Sequence, residues 1–144
     1  MRPSPDACNV GVRNGAWGED VAVAALRLEG YVIVDRNVRP CRYDRRLEVD
    51  VVAYDREADA MVFVEVKQHK AHCEGESRIR SVDRDKIRNL RRACNAWRRR
   101  NRWHGCYRFD VVEVFGEPGC ARPEVDHVRG VRLFTRADRF VVWD

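Results

Sequence analysis

The sequence predicts a single α/β domain with a mixed β-sheet and helices on its faces. Three observations support this prediction. A length of 144 residues is typical of one domain, and a hydrophobic content of 44% is enough for a packed core. The predicted elements also follow the order α-β-β-β-α-β, which is typical of layered α/β folds. We expect residues 1–13 to form a flexible extension and residues 14–144 to form the domain.

Two segments have the apolar periodicity of amphipathic helices. Residues 15–29, GAWGEDVAVAALRLE, lie between Asn14, which is suited to cap the start of a helix, and Gly30, which is suited to end one. Residues 83–103 combine an apolar stripe, which includes Trp97, with an arginine-rich face. The first and the fifth predicted elements are therefore helices.

The strands are predicted from runs of β-branched residues and from alternation of polar and apolar side chains. They comprise residues 31–38, 47–54, 61–68, 108–115 and a short last strand, 131–134. Residues 69–82 are polar and lack periodicity, so we expect them to form a mobile loop. Residues 116–124, GEPGCARPE, are expected to form a second loop.

Charged residues interrupt the two most apolar strands. A hairpin centred in the turn DREADA pairs Tyr54 with Met61 and places Asp50 opposite Glu65 on one face of the sheet. Directly opposed Cβ atoms lie about 5 Å apart, and two carboxylates at such positions repel each other. They require a shared proton, a basic side chain or a divalent cation between them.

Lys67 lies two residues beyond Glu65 and therefore on the same face. Only Lys67, Lys70 and Lys86 are lysines, which leaves 25 arginines among the 28 basic residues. We interpret Lys67 as a compact ammonium that holds a water or a phosphate. The alternative interpretation is an ordinary ion pair, because the predicted register places Glu48 opposite Lys67.

The remaining composition limits the location and the partners of the protein. A formal charge of +5 tolerates an anionic partner. There is no secretory signal and no apolar run of about 18 residues, so we expect a cytoplasmic protein with reduced cysteines and no membrane span. His69, His72 and Cys73 are candidate zinc ligands, although no second cluster completes a tetrad.

The pattern D-x14-E-x-K, formed by Asp50, Glu65 and Lys67, resembles the signature of the PD-(D/E)xK nuclease superfamily. The segments GAWGEDVAVAALRLEGYVIVDRNVR, LEVDVVAYD, MVFVEVK and YRFDVVEV, with Lys86, resemble the YraN-like family of predicted bacterial endonucleases over residues 14–114. This resemblance implies a restriction-endonuclease-like fold, three-layer α-β-α with a mixed central sheet. Two departures are Leu47 in place of the family's glycine and Gln68-His69 in place of its Thr-Arg.

The resemblance also implies site residues. Asp50 and Glu65 match the carboxylates that hold Mg²⁺ or Mn²⁺, Lys67 matches the lysine that positions the attacking water, and Glu19 matches an additional acidic ligand. An alternative interpretation of Glu19 is an acid that favours the helix dipole from the first turn. Glu48 matches the family's glutamate before the aspartate.

The implied activity is metal-dependent hydrolysis of phosphodiester bonds in DNA. The sequence shows no base-specific readout, so we expect binding that is either non-specific or selective for the structure of the DNA, such as a branch or a junction. We expect the arginine face of the second helix to grip the backbone through Arg91, Arg92, Arg98 and Arg99, the alternative being a solvated face. Trp97 fits the apolar stripe better than it fits a base-stacking role. Cleavage of both strands would require a homodimer. A second hypothesis is a catalytically silent nucleic-acid-binding or assembly module.

Overall fold

A computed structural model describes residues 10–70 and 84–140 of the chain. Its elements are α1 (Val10–Leu28), β1 (Val32–Val38), β2 (Val49–Asp55), β3 (Ala60–His69), α2 (Arg84–Arg100), β4 (Cys106–Phe115), β5 (Glu124–Val128) and a 3-10 helix (Arg136–Phe140). The five strands form one sheet in the order β1-β2-β3-β4-β5. Only β3 and β4 run parallel, so the sheet is mixed and the predicted three-layer fold is confirmed.

Strand alternation divides the core between the two faces of the sheet. Val62 and Val64 of β3 belong to one buried cluster with Leu26 of α1. Phe63 belongs to the other cluster, where its ring lies 5.5 Å from the ring of Trp97 in α2. Trp97 is therefore a core residue, as its place in the apolar stripe predicts.

The β2–β3 hairpin has the predicted register, with Tyr54 paired to Met61. Asp55 shapes the turn, because its Oδ1 accepts hydrogen bonds from the backbone N–H groups of Glu57 (3.1 Å) and Ala58 (3.2 Å). The ladder extends to the pair Val51–Val64 and brings the next residue of β2, Asp50, beside β3.

The first helix starts earlier than predicted. It begins at Val10 and therefore includes residues 10–13 of the predicted extension, whereas residues 1–9 lie outside the described part of the chain. Asn14 is inside the helix and does not cap it. The predicted end is confirmed: Gly30 has a φ of 91°, and the N–H of Tyr31 donates to the carbonyl of Leu26 at 3.0 Å, which closes a Schellman motif.

The prediction of a last strand at residues 131–134 is wrong. Residues 131–134 do not form a strand; instead the N–H of Val131 donates to the carbonyl of Phe109 at 2.8 Å, and Leu133 is buried in the core on the α2 face. The last strand is instead β5, which begins at Glu124, the final residue of the predicted loop 116–124. The predicted mobile loop falls mainly on residues 71–83, which lie outside the described residues.

A buried cluster of charged side chains ties α1, β4 and β5 together. Asp110 of β4 is fully buried and accepts hydrogen bonds from Arg108 (2.9 Å) and from the backbone of Gly130 (3.0 Å). Nε2 of His127 lies 2.7 Å from Asp110, and Nδ1 lies 2.8 Å from Glu29 at the end of α1. Side chains alternate between the two faces of the sheet along β4, and Asp110 and the cluster around it lie on the face that α1 covers.

The described residues contain no helix that is both long and apolar enough to cross a membrane.

Candidate active site

An open cavity of about 430 Å³ lies where β2 and β3 separate, next to the start of α2. Its charged lining consists of Arg46, Glu48, Asp50, Glu65, Asp85 and Lys86. We call this cavity the acidic pocket, because four of these six side chains are carboxylates. The hairpin contributes the two central acids, and α2 contributes Asp85 and Lys86.

Asp50 and Glu65 meet at the acidic pocket, as the predicted register requires. The backbone N–H of Val66 donates to Oδ2 of Asp50 at 2.8 Å and fixes this carboxyl against β3. The carboxyl group of Glu65 is close enough to Asp50 to act on its protonation through its charge and through a side-chain hydrogen bond. Burial, together with the charge of Glu65, raises the pKa of Asp50 from 3.8 to about 7. Asp50 therefore keeps its proton to a higher pH than an exposed aspartic acid does.

Lys86 is the basic residue that the sequence predictions did not assign to the site. Its Nζ lies 3.4 Å from Oε1 of Glu65, whose side chain is only 15% exposed. The scarcity of lysine in this chain, which singled out Lys67, applies equally to Lys86 and is the signal that could have identified it.

Lys67 lies beside Glu65 on the face that α2 covers. Both residues line a second, smaller cavity of about 60 Å³, together with Ile87 of α2. In the parallel ladder Lys67 is paired with Glu113, a fully buried acid that the sequence analysis did not single out. Glu48, which the register placed opposite Lys67, precedes β2 and has its carboxylate 3.6 Å from Nη2 of Arg39.

Glu19 approaches Asp50 from the α1 side. It lies in the middle of α1, so the interpretation as a first-turn acid is wrong. Burial raises the pKa of Glu19, a hydrogen bond from the side chain of Asn37 opposes this effect, and the charge of Asp50 adds to it. Within residues 10–70 and 84–140, however, no three His, Cys, Asp or Glu side chains are already arranged to hold a metal ion. Glu19 is therefore near the acidic pair without completing a preformed three-ligand site.

Only some of the four arginines predicted to contact the DNA backbone are exposed. Arg92 and Arg99 are exposed, and Arg92 lies 3.8 Å from Asp44. Arg91 is half-buried.

The prediction for Arg98 is wrong, because this side chain is only 2% exposed. It donates to the backbone carbonyl of Asp138 at 2.8 Å and stacks 3.6 Å above the ring of Tyr107. Arg98 joins α2 to the C-terminal segment and is not available to phosphate.

The zinc hypothesis stays untested, since His72 and Cys73 lie outside the described residues. The remaining candidate ligand, His69, has its Nε2 3.4 Å from Oε1 of Glu113 and its ring stacked on Phe115 at 5.0 Å.

A three-layer domain whose mixed sheet brings two acids together at the end of a central hairpin belongs to the restriction-endonuclease-like class of folds. Comparison with known proteins identifies the family. The model of an uncharacterised protein family, UPF0102, matches residues 18–114, and the chain belongs to this family. It is the YraN family, so the resemblance noted in the sequence is confirmed.

Curated relatives match most of the chain. A UPF0102 protein of Mycobacterium sp. (strain JLS) is 42% identical over 120 residues, which cover 81% of this chain and 83% of the relative. A UPF0102 protein of Arthrobacter sp. (strain FB24) is 38% identical over 118 residues, covering 81% of this chain and 93% of the relative. A third, of Trichlorobacter lovleyi, is 36% identical over 115 residues, covering 79% and 85%.

Proposed function

We propose that this protein is a metal-dependent nuclease that hydrolyses phosphodiester bonds in DNA. The observation that carries the proposal is the contact between the carboxyl groups of Asp50 and Glu65 in an open pocket that also contains an ammonium group. A purely structural pair of buried acids would be more stable as amides or apolar residues.

The acidic pair fits a hard divalent cation. Mg²⁺ is held by one or two carboxylates and keeps several waters, so it does not need the three protein ligands that the described residues lack. Asp50 and Glu65 would hold Mg²⁺ or Mn²⁺, and the charge of Glu19, which acts on Asp50, would add to the attraction for the ion. When bound, the ion supplies positive charge to the phosphate and lowers the pKa of a water.

The side chains around the pair have separate tasks in this proposal. The N–H of Val66 orients Asp50. Lys67 orients the attacking water from the same face of β3 as Glu65. Lys86, whose Nζ lies 3.4 Å from Glu65, would donate a hydrogen bond to a non-bridging phosphate oxygen. In this proposal the two ammonium groups would stabilise the negative charge that accumulates during hydrolysis.

The exposed arginines support a phosphate-backbone substrate. Arg46 lines the acidic pocket, and Arg92 and Arg99 line an adjoining groove of about 290 Å³. These contacts carry no base-specific information, so selectivity would come from the shape of the DNA, as at a branch or a junction. Cutting both strands of a duplex would use two copies of the chain.

A second candidate function is a catalytically silent module that binds nucleic acid or assembles with it. The exposed side chains of Arg92 and Arg99 support this alternative as well, because binding of phosphate does not require the acidic pair. Both functions use the arginine surface, and they differ in whether the acidic pocket performs chemistry.

The test is cleavage of labelled linear, branched and junction DNAs with Mg²⁺ or Mn²⁺, using purified wild type, Asp50→Asn, Glu65→Gln and Lys67→Ala. We expect cleavage by the wild type, loss of cleavage in all three variants, and retention of DNA binding. Glu57→Gln is the matched control, because it removes an exposed carboxylate at the opposite end of the same hairpin. Cleavage that survives Asp50→Asn would contradict the proposed site, and binding without cleavage by the wild type would favour the silent module.

A further inference from the structure

The connector between β1 and β2, which contributes Arg46 to the acidic pocket, also presents an exposed aromatic ring. Tyr43 is 94% exposed. Among the phenylalanine, tryptophan and tyrosine side chains that the structure describes, it is the one that is exposed. The aromatic residues near the arginines of α2 have other roles: Trp97 is buried, and Trp103 donates its Nε1–H to the carbonyl of Cys106 at 2.9 Å.

The connector is held in place on both sides of Tyr43. Leu47 is buried in the core, and Cys41 packs against the same cluster. Between them, Asp44 accepts hydrogen bonds from Nε and Nη2 of Arg46, both at 2.9 Å, and lies 3.8 Å from Arg92 of α2. The tyrosine ring thus extends from an anchored turn, which lowers the entropy that a ligand would have to remove.

Arginines lie on both sides of Tyr43 in the sequence. Arg42 and Arg45 are both exposed on the same turn as Tyr43. Arg46, three residues after Tyr43, lines the acidic pocket, and three residues span at most about 11 Å of chain. On the other side of the turn, the groove lined by Arg92 and Arg99 also contains Cys41 and Leu47. Arginines interleaved with an exposed aromatic ring are typical of surfaces that bind single-stranded nucleic acid.

We propose that Tyr43 stacks on an unpaired base of the substrate while Arg42 and Arg45 contact the flanking phosphates. The protein would then prefer DNA with a single-stranded segment at the acidic pocket over fully paired duplex, in which the bases are stacked on one another and offer no free face. The position of this base next to the scissile phosphate rests on the proposed nuclease function. The stacking contact itself does not require cleavage.

The test measures binding in EDTA, so that cleavage does not contribute. Fluorescence anisotropy compares a labelled single strand, the same sequence as a duplex, and a duplex with a single-stranded gap. Since stacking of one base on an aromatic ring contributes roughly 5- to 100-fold in affinity, we expect Tyr43→Ala to weaken single-strand and gapped-duplex binding by about that factor. Binding of the full duplex should change by less than about twofold. A 2-aminopurine base in the single strand should be quenched by the wild type and not by Tyr43→Ala.

Two variants separate stacking from a general effect. Tyr43→Phe keeps the ring and should bind the single strand like the wild type. Leu28→Ala removes a side chain that is 90% exposed, at the far end of α1, and should change neither affinity. Equal weakening of single strand and duplex in Tyr43→Ala, or no weakening of either, would overturn the inference.

The two proposals fail in different ways. A wild type that quenches 2-aminopurine through Tyr43 but cuts no DNA refutes the nuclease and keeps the stacking surface. A wild type that cuts gapped DNA with the same preference after Tyr43→Ala refutes the stacking surface and keeps the nuclease.

Discussion

Replacing Asp50 by asparagine is expected to stabilise the metal-free protein, although it should abolish cleavage. The folded state raises the pKa of Asp50 from 3.8 to about 7, because this carboxyl is buried next to Glu65. At a pH above 7, a shift of this size lowers the unfolding free energy of the wild type by about 4 kcal/mol. The asparagine keeps an oxygen for the N–H of Val66 and donates its amide to Glu65. Burial of the neutral amide costs about 2 kcal/mol. We therefore expect the unfolding free energy of Asp50→Asn to exceed that of the wild type by about 2 kcal/mol.

The gain should depend on pH in a defined direction. Between about pH 4 and pH 7 the unfolded chain loses the Asp50 proton while the folded protein keeps it, so wild-type stability falls as the pH rises through this interval. Asp50→Asn lacks this loss. The difference between the two proteins should therefore grow from about pH 4 to pH 7 and then level off.

Thermal unfolding followed by circular dichroism in EDTA measures the difference. For a domain of this size about 2 kcal/mol corresponds to roughly 4–8 °C in Tm. Added Mg²⁺ should raise the Tm of the wild type and leave that of Asp50→Asn unchanged. A variant that melts below the wild type at all pH values, or a Tm difference independent of pH, would refute the reasoning. Glu57→Gln serves as the control for loss of an exposed carboxylate.

Three further predictions concern charged residues outside the acidic pair. Burial opposes the charge of His127, but hydrogen bonds to Asp110 and Glu29 outweigh it and raise the pKa. The stability from His127 is thus complete below about pH 6.5 and lost as the pH rises through the folded-state pKa. Urea titrations of His127→Gln should show a destabilisation of about 1–2 kcal/mol that is larger near pH 6 than near pH 8. Arg92→Gln should weaken binding to all DNAs alike and lower the salt slope by about 1, as measured by anisotropy at several salt concentrations. Arg98→Ala should instead cost about 2–4 kcal/mol in urea unfolding, because the carbonyl of Asp138 loses a buried charged donor; unchanged stability would show that Arg98 is not a structural residue.

The contact between Asp50 and Glu65 was predictable from the sequence because its causes are local. A turn shaped by Asp55 sets the register, and alternation along the strands then decides which side chains share a face. The burial of Trp97 was predictable for a similar reason, since helical periodicity places it on the apolar stripe.

The errors arise where distant segments decide the outcome. Arg98 lies in α2 among other arginines, and nothing in the local pattern distinguishes it from them. It is buried because it contacts the carbonyl of Asp138 in the C-terminal segment and the ring of Tyr107. Strand β5 has polar residues at most positions and forms because β4 offers it a ladder and Asp110 binds His127. Neither partner is visible in the local pattern. Lys86 reaches Glu65 only through the docking of α2.

The hairpin that brings Asp50 to Glu65 is the most local part of the sheet, whereas β3 and β4 can pair only after the whole of α2 has been placed between them. Short-range pairings form early because little loop entropy opposes them. Repulsion between the two acids therefore acts on the nascent hairpin, before Lys86 arrives to moderate it.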